Sequence, residues 1–376
     1  MQKQKIAILT PTFNHYSGMD RVAQLQAEDY VKKGNKVTVI ALEAKIKPKR
    51  YKVIEIGMPK NLFLQRLYRL FFFLDRKKIE KYKLLKNYDL VISHFYPMNW
   101  LAYKAKKKYK IDYIYHDHGI NTTGFLNNNF QKLYMKLFLF FNNITLKNID
   151  KAFSVSKYLS KQLYKESGIK SKVVYNKIDK KRFNKNVKDN KVAKRYNLKN
   201  NKTLLYVGRI APHKGIHLLL KSFNIVKKQV PNAKLLIVGK PTFNGYFKTL
   251  RNSIGISGAQ KMLKNFKEFL AHRNGKAISL VSKKFSWELK RITNKDVIFT
   301  GFVPDNELSN YYAACNLYVT ASQWEGFNLP AAEAQACGKK VVAFNIGSHP
   351  EVIKNGILVK NKDIKAFSEA VIKLVK

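Results

Sequence analysis

Short apolar, β-branched runs alternate with helical patterns along the whole chain. Apolar strands that are spaced by helices predict parallel sheets covered on both faces. Six such runs precede a polar, Lys- and Asn-rich stretch at about residues 179–202, and six follow it. The predicted strands are 5–9, 36–42, 90–93, 113–116, 151–156, 173–176, 204–207, 235–239, 297–302, 317–322, 340–344 and 357–359. The pattern indicates an α/β fold of two doubly wound parallel-sheet (Rossmann-like) domains, residues 1–180 and 181–376, that face a cleft.

One stretch breaks this alternation. About sixty residues separate Gly239 from the strand that begins at Val297, where a single helix would suffice. Residues 262–292 are basic and have a helical pattern, so we predict an insertion at about residues 252–295. A large aromatic such as Trp287 favours burial. The segment therefore either docks on the domain interface or is a surface loop, which the fold would tolerate.

A glycine turn follows the seventh predicted strand. The sequence GRIAPHKG, residues 208–215, leads into an amphipathic helix with one apolar face. A strand, a glycine turn and a helix N-terminus form an anion site, because free N–H groups and the helix dipole point at the ligand. Arg209 and Lys214 would add two positive charges, which suits a diphosphate. A solvated basic turn is the alternative.

A second motif carries two glutamates. The sequence WEGFNLPAAEA, residues 324–334, follows a predicted strand and opens a helix at Pro330, a favoured first helical position. This would place Glu333 in the first helical turn, where the dipole stabilises a carboxylate that can accept hydrogen bonds from a ribose diol. Glu325 lies in the loop at the end of the strand, where it can face a bound sugar. The alternatives are a simple helix-start carboxylate and a solvated loop acid.

These motifs resemble those of the retaining glycosyltransferases of family 4 (glycosyl transferases group 1), which have the GT-B fold. The resemblance rests on the two spaced glutamates, on GRIAPHKG and on GFVPDNEL at residues 301–308. It extends over nearly the whole chain. The first half supplies, in the expected order, ILTPTFNHYSGMDRVAQLQAEDYVKKGNKVTVIAL, YIYHDHG, SVSKYL and YNKIDKKRF.

The resemblance assigns roles to individual residues. It implies that Arg209 and Lys214 hold the diphosphate, and that Glu333 binds the ribose. It also implies that Glu325 and His118 lie at the donor sugar, with His116 as the alternate histidine. The groups expected to take part in catalysis are Glu325, His118, Arg209 and Lys214. The implied donor site comprises Gly18, Gly208, Arg209, Lys214, Phe302, Val303, Glu325, Gly326, Phe327, Asn328, Leu329 and Glu333.

Three positions depart from the family pattern. Ser17-Gly18 stands where the family has two adjacent glycines, Asn176-Lys177 where it has Asn-Gly, and Asn328 at a position commonly held by glycine. None of these changes removes a charged binding group. An active enzyme is therefore still expected.

The histidines allow a second interpretation. His116-Asp117-His118 ends a predicted strand, and a metal site is the alternative to a contact with the donor sugar. No further ligand is apparent in the sequence nearby, and this fold class binds the diphosphate without a metal, so we expect neither metal nor cofactor. His94 is expected to be structural or to line the acceptor site. Cys315 and Cys337 have no ligand spacing and are expected to be reduced core residues.

The charge balance is unusual: 72 basic side chains stand against 24 acidic ones, a formal net charge of +48. Such a field attracts polyanions, such as nucleic acid, anionic lipid headgroups or phosphorylated substrates. Only 11 of the basic residues are Arg. The preference for Lys over Arg weighs against specific recognition of nucleic acid, which favours Arg. An AT-rich genome would also produce this preference.

Two segments carry apolar faces beside basic residues. Basic amphipathic helices can lie in a bilayer interface, and the alternative is that both pack on the first sheet. No apolar run could span a bilayer, and the basic N-terminus leads into a first strand and not a signal peptide. We expect a cytoplasmic protein that is peripheral on the inner face of the cell membrane. The apolar faces are Phe63, Leu67, Leu70, Phe71 and Leu74 in residues 61–86, and Leu133, Leu137, Phe140 and Phe141 in residues 130–147.

Together these features predict a retaining hexosyltransferase. It would move a sugar from a nucleoside-diphosphate donor to a hydroxyl of a glycan or polyprenyl-linked acceptor. One alternative is a nucleotide-sugar epimerase of the same fold, which lacks the pair of glutamates. The other is a catalytically inactive, basic nucleic-acid-binding scaffold, whose affinity for DNA would fall steeply with salt.

Overall fold

The computed structural model describes residues 3–14, 18–119, 129–189, 191–239 and 296–376. The predicted insertion at residues 252–295, with its segment 262–292 and Trp287, lies outside the described residues. The chain divides into two compact units, Met1–Lys177 and Ile178–Lys376. Each unit contains one parallel sheet with helices on its faces, which confirms the predicted fold class.

The first unit is built on a seven-stranded parallel sheet in the order β3-β2-β1-β4-β5-β6-β7. Strand β1 lies in the interior of this sheet and is buried over residues 6–11, as an apolar strand covered on both faces must be. The strands are β1 Lys5–Phe13, β2 Lys36–Ala44, β3 Lys52–Glu55, β4 Leu90–Ser93, β5 Asp112–Asp117, β6 Lys151–Ser154 and β7 Lys172–Val173. The helices are α1 Gly18–Lys32, α2 Leu62–Leu70, α3 Arg76–Ile79, α4 Asn99–Tyr109, α5 Asn129–Leu146 and α6 Lys157–Ser167.

Residues 61–86 are not one continuous helix. Helix α2 ends at Leu70, and after a short 3-10 turn the chain restarts at Asp75, whose side chain accepts a hydrogen bond from the backbone N–H of Lys78. This N-cap begins α3, so α2 and α3 are separate helices. The expectation of a single helical face was therefore wrong. Within the described residues, no helix is both long and apolar enough to cross a membrane.

The second unit has a six-stranded parallel sheet in the order β10-β9-β8-β11-β12-β13. Along β8, Leu204 and Tyr206 belong to one apolar cluster, and Leu205 and Val207 belong to the cluster on the other face. The strands are β8 Lys202–Val207, β9 Ala233–Val238, β10 Val297–Gly301, β11 Leu317–Thr320, β12 Lys340–Phe344 and β13 Gly356–Val359. The helices are α7 Val192–Arg195, α8 Ile216–Gln229, α9 Leu308–Ala314, α10 Leu329–Ala336, α11 His349–Val352 and α12 Ile364–Val375.

The strand order reverses between β1 and β4 in the first sheet and between β8 and β11 in the second. In open parallel sheets, ligands bind outside the carboxyl ends of the strands at such a reversal. The GRIAPHKG turn follows β8, and the loop that carries Glu325 follows β11. The two sequence motifs of the second half therefore meet at the switch point of the second sheet.

Candidate active site

The turn after β8 brings a helix start against the loop after β11. A 3-10 turn, Pro212–Lys214, leads to Gly215, which has φ +63° and precedes α8. A Cβ at this glycine would lie 1.9 Å from the carbonyl oxygen of Ala321. Only glycine permits both the left-handed conformation and this close approach. The predicted helix follows, and its predicted apolar face, Ile216, Leu219, Leu220 and Phe223, is buried.

Lys214 and Glu325 form a buried ion pair. The Lys214 Nζ lies 2.7 Å from Oε1 and 2.8 Å from Oε2 of Glu325, and the two side chains are 16% and 8% exposed. Burial by itself would raise the pKa of Glu325. The charge of Lys214 and the hydrogen bonds from Lys214 and Ser322 outweigh burial and hold this pKa below its ordinary value. Glu325 is therefore an ionised, enclosed carboxylate, and the alternative of a solvated loop acid is wrong.

The loop that carries Glu325 is held at several backbone positions. The backbone N–H and the hydroxyl of Ser348 both donate to the carbonyl oxygen of Glu325, at 3.2 Å. Gly347 has φ +50°, and a Cβ there would lie 2.5 Å from the same oxygen. On the other side, the N–H of Gln323 donates to the carbonyl oxygen of His213, at 2.7 Å. The carboxylate is thus positioned by the turn after β8 and by the segment after β12.

Asn328 explains one departure from the family pattern. Its φ is +67°, the left-handed region in which glycine and asparagine are the favoured residues. Its side-chain oxygen accepts from the N–H of Ala331 at 3.2 Å and caps helix α10. Its amide nitrogen lies 2.8 Å from Nε2 of His349. Asparagine therefore provides the backbone conformation of glycine and adds two side-chain hydrogen bonds.

His349 belongs to the site, although it was not among the residues predicted from the sequence. Burial lowers the pKa of His349 despite the nearby charge of Glu325, so the ring is neutral at neutral pH. Its Nδ1 lies 2.6 Å from the carbonyl oxygen of Phe344, which makes Nδ1 the donor and leaves Nε2 to accept from Asn328. The short helix α11 begins at His349 itself, and Pro350 is its second residue. No motif in the sequence marks this position.

Glu333 is deeper in helix α10 than expected. The helix begins at Leu329 because Asn328 is its cap, so Glu333 lies beyond the first turn. The prediction of a first-turn carboxylate is therefore wrong, and the helix dipole has little effect at this depth. The side chain is 2% exposed, and its Oε2 accepts a hydrogen bond from the hydroxyl of Tyr312 at 2.9 Å.

The other residues of the predicted donor site are exposed in the second unit, buried in the second unit, or part of the first unit. Arg209 is exposed directly after Gly208 at the end of β8, and Phe302 is also exposed. Burial and the charges of Lys214 and Arg209 lower the pKa of His213, which lies between them in the chain, to about 3. Gly18, at the start of α1, and His118 belong to the first unit. The buried members of the group in the second unit are Val303, Gly326, Phe327 and Leu329.

Three histidines meet in the first unit. The parallel pairing of Ser93 with Tyr115 brings the end of β4 beside β5, so His94 becomes the neighbour of His116 and His118. The Nδ1 of His94 lies 2.9 Å from Nε2 of His118, and its Nε2 lies 2.8 Å from Oε1 of Gln26 on α1. The sequence indicated no further ligand near His116 and His118. This expectation was wrong, because strand pairing places His94 beside them.

Burial lowers the pKa values of all three histidines. For His94, burial and the nearby His116 and His118 bring the pKa well below its ordinary value. Burial lowers the pKa of His116 to about 4. Burial and His116 lower that of His118 well below its ordinary value. All three rings are therefore neutral at neutral pH, and each carries one nitrogen lone pair.

Three family models match the chain in succession. Residues 16–182 match the model described as Glycosyltransferase Family 4. Residues 187–273 and 256–376 match two models described as Glycosyl transferases group 1.

Individual proteins show the same similarity. An uncharacterized glycosyltransferase of Methanocaldococcus jannaschii is 25% identical over 307 residues, which are 79% of this chain and 70% of that protein. The O-antigen chain mannosyltransferase B of Escherichia coli is 41% identical over 85 residues, only 22% of either chain. The crystal structure of Anabaena HepE in complex with UDP and glucose has a TM-score of 0.71 at 19% identity, over 99% of this chain and 90% of that one.

Proposed function

The chain belongs to the group 1 glycosyltransferases, and on that premise we propose that it moves a hexosyl group from a nucleoside-diphosphate sugar to an acceptor hydroxyl. The acceptor is a hydroxyl of a glycan or of a polyprenyl-linked sugar, and the anomeric configuration is retained. The observation that carries the proposal is the buried Lys214–Glu325 ion pair at the switch point of the second sheet. The mannosyltransferase relative and the UDP and glucose bound to HepE support a hexosyl donor.

The proposed chemistry follows from the charges at this switch point. Departure of the diphosphate places negative charge beside Lys214, exposed Arg209 and the start of helix α8, and fixed positive groups stabilise that charge. Lys214 also keeps Glu325 ionised, so the carboxylate can accept hydrogen bonds from sugar hydroxyls. Because these groups supply the positive charge, transfer is proposed to proceed without a metal or other cofactor. No covalent intermediate with the protein is proposed.

Glu333 and His118 complete the proposed donor site. Glu333 keeps its predicted role, in which its carboxylate accepts hydrogen bonds from the ribose hydroxyls. A carboxylate can accept several hydrogen bonds, and Oε2 already accepts one from Tyr312. His118 is proposed to contact the donor sugar. Its Nε2 faces His94, so its Nδ1 is the nitrogen that can accept a hydrogen bond from a sugar hydroxyl.

The experiment that tests this function begins with binding. A thermal-shift panel of UDP-, GDP- and ADP-sugars in EDTA is expected to give one nucleotide class that raises the unfolding temperature. Saturation at 100 times Kd stabilises the folded protein by about 2.7 kcal/mol. Titration calorimetry with the matching diphosphate should then show weaker binding to the Glu333→Gln variant and a smaller change for Glu325→Gln. A panel with no stabilising nucleotide would contradict the proposed function.

We also propose that the first unit binds the anionic inner face of the cell membrane. An apolar surface on α2, α5 and the turn between α2 and α3 remains exposed to solvent. The two helices are joined, because the Tyr134 hydroxyl donates to the carbonyl oxygen of Arg66 and the rings of Phe71 and Phe141 lie 6.2 Å apart. Basic residues near an anionic leaflet contribute about 1 kcal/mol each. The exposed apolar side chains of this surface are Leu64, Phe71, Leu74, Leu133 and Phe140.

A further inference from the structure

The histidines at the ends of β4 and β5 form a compact triangle. The ring centroids lie 5.1 Å apart for His94 and His116, 5.1 Å for His94 and His118, and 4.9 Å for His116 and His118. One nitrogen from each ring lies within 4.8 Å of the other two. The first two rings are buried and the third is partly exposed. Three neutral imidazoles therefore direct ligand atoms at one small volume that borders on solvent.

His116 has hydrogen-bonding capacity that the described residues do not use. Both of its ring nitrogens are buried, and within the described residues neither has a hydrogen-bond partner. Leaving a buried polar atom unpaired costs about 1–3 kcal/mol. Such atoms in a native protein need an explanation, and an ion at the site would bind the lone pair of one of the two His116 nitrogens.

His94 is already oriented as a metal ligand would be. Its Nε2–H donates to the amide oxygen of Gln26, which leaves the Nδ1 lone pair directed at Nε2 of His118. A carbonyl-type acceptor on the far nitrogen is the usual support of a metal-bound histidine. Zn²⁺ binds imidazole nitrogens at about 2.0–2.1 Å, so three ligands must lie roughly 3.5 Å from one another. The ligand atoms need only shift by about an ångström, since they already lie within 4.8 Å.

We propose that His94, His116 and His118 bind a Zn²⁺ ion, with Gln26 supporting His94 and water in the open position. Three imidazoles suit zinc and its borderline neighbours and do not suit Mg²⁺ or Ca²⁺, which need oxygen ligands. A bound ion takes the lone pair of Nε2 of His118, so the one proton of the neutral ring then lies on Nδ1, which can no longer accept a hydrogen bond from a sugar hydroxyl. Zn²⁺ therefore withdraws His118 from the donor sugar and inhibits transfer. This second part rests on the proposed function, whereas binding of the ion does not.

The binding test uses the full chain, stripped of metal with EDTA and dialysed. Calorimetric titration with Zn²⁺ is expected to show one strong site per chain. His94→Gln and His116→Gln should each weaken it at least tenfold, and Gln26→Ala about tenfold, because loss of an outer-shell partner costs roughly 10–100-fold in affinity. His217→Gln, on helix α8 of the other unit, is the matched control and should bind like the wild type.

The unfolding transition of each metal-free variant shows whether it is folded. A wild type without a stoichiometric strong site would overturn the proposal, and so would wild-type affinity in folded His94→Gln and His116→Gln variants. Should one of these histidine variants fail to fold, Gln26→Ala provides the comparison, and its unchanged affinity would count against the site.

Transfer assays separate this inference from the proposed function. One equivalent of Zn²⁺ should lower the transfer rate of the wild type several-fold and leave His94→Gln at its own metal-free rate. An active enzyme without strong Zn²⁺ binding would overturn the metal site alone. Strong binding with an unchanged transfer rate would overturn the inhibitory effect, and with it the donor role of His118.

Discussion

At the scale of single residues, Lys214 and Glu325 occupy a place where neither charge would be stable alone. Both side chains are largely enclosed, and each carboxylate oxygen lies within 2.8 Å of the ammonium group. Removing one partner of a buried ion pair costs about 3–5 kcal/mol, because the other charge is left buried and uncompensated. Replacing both partners by apolar residues of similar volume is often neutral.

This asymmetry gives the first prediction. Lys214→Met should lower the free energy of unfolding by about 3–5 kcal/mol, measured by chemical denaturation at pH 7. The double variant Lys214→Met/Glu325→Leu should recover most of that loss, since no unpaired charge remains. Arg209→Gln removes an exposed charge and should leave stability unchanged within about 0.5 kcal/mol.

Acid pH provides a further check on the same pair. The pKa of Glu325 is lowered in the folded protein, so its stabilising effect is complete above the ordinary pKa of glutamate and is lost as pH falls through the lowered value. The stability difference between the wild type and the double variant should therefore change only below about pH 4. A double variant that is as unstable as Lys214→Met would contradict the ion-pair account.

The second prediction concerns Asn328. Both Asn328→Gly and Asn328→Ala lose the hydrogen bond from the N–H of Ala331 that caps α10, and both lose the side-chain contact with His349. Alanine additionally has to adopt the left-handed conformation, which costs a non-glycine residue about 1–2 kcal/mol. Denaturation should therefore find the alanine variant less stable than the glycine variant by about that amount. Equal stabilities would show that backbone conformation does not select the residue at this position.

Single-residue features were partly predictable from the sequence. Lys214 and Glu325 lie in motifs whose strand-turn-helix context can be read locally, so their position at strand ends was predicted. Their direct contact was not, since it joins segments that are 111 residues apart. His349 and Ser348 were missed for the same reason. His94 joined the other histidines only through strand pairing, which the spacing along the chain does not reveal.

At the scale of elements, buried parallel strands were predictable and exposed ones were not. Strands β4 and β12 match their predicted bounds, because a strand covered on both faces is a continuous apolar run. Strand β3 was missed, since it is a four-residue edge strand in which no residue is fully buried. The predicted strand at residues 173–176 is reduced to Lys172–Val173, also at an edge.

The third prediction uses the apolar surface on α2 and α5. Only part of the predicted face is available to a membrane, because Leu70 is 2% exposed whereas Phe71 and Phe140 are 37% and 59% exposed. Phe71→Ser/Phe140→Ser should lower binding to vesicles that contain anionic lipid at least several-fold. The unfolding temperature should remain near that of the wild type. Vesicle co-sedimentation at low salt measures the effect, since screening weakens the charged contribution.

Phe72→Ser is the matched control for this surface. It removes a core side chain and should cost about 3–5 kcal/mol of stability, as large-to-small core substitutions do. Leu70 is also buried and should behave in the same way. Unchanged vesicle binding by a folded Phe71→Ser/Phe140→Ser variant would contradict the membrane proposal and favour packing alone as the role of these helices.

At the scale of the whole molecule, two parallel-sheet units carry a formal charge of +48. A net charge of this size governs attraction to polyanions, whereas the fold is determined by the pattern of apolar residues. The pattern predicted both sheets, whereas composition by itself left membrane, nucleic acid and phosphorylated substrates as alternatives. Family membership favours a transferase over the epimerase and the scaffold. Glu325 and Glu333, the two acidic groups of the proposed site, are both buried in this strongly basic protein.

The most direct test of the central claim is transfer from the stabilising nucleotide sugar in the presence of EDTA. Release of the nucleoside diphosphate should proceed in the wild type, because Arg209 and Lys214 replace a metal. It should fall at least tenfold in Arg209→Gln, a loss of about 1.4 kcal/mol of transition-state stabilisation. The double variant Lys214→Met/Glu325→Leu should be folded and should lose turnover to a greater extent. Wild-type turnover in that folded double variant, or loss of wild-type activity in EDTA, would contradict the account.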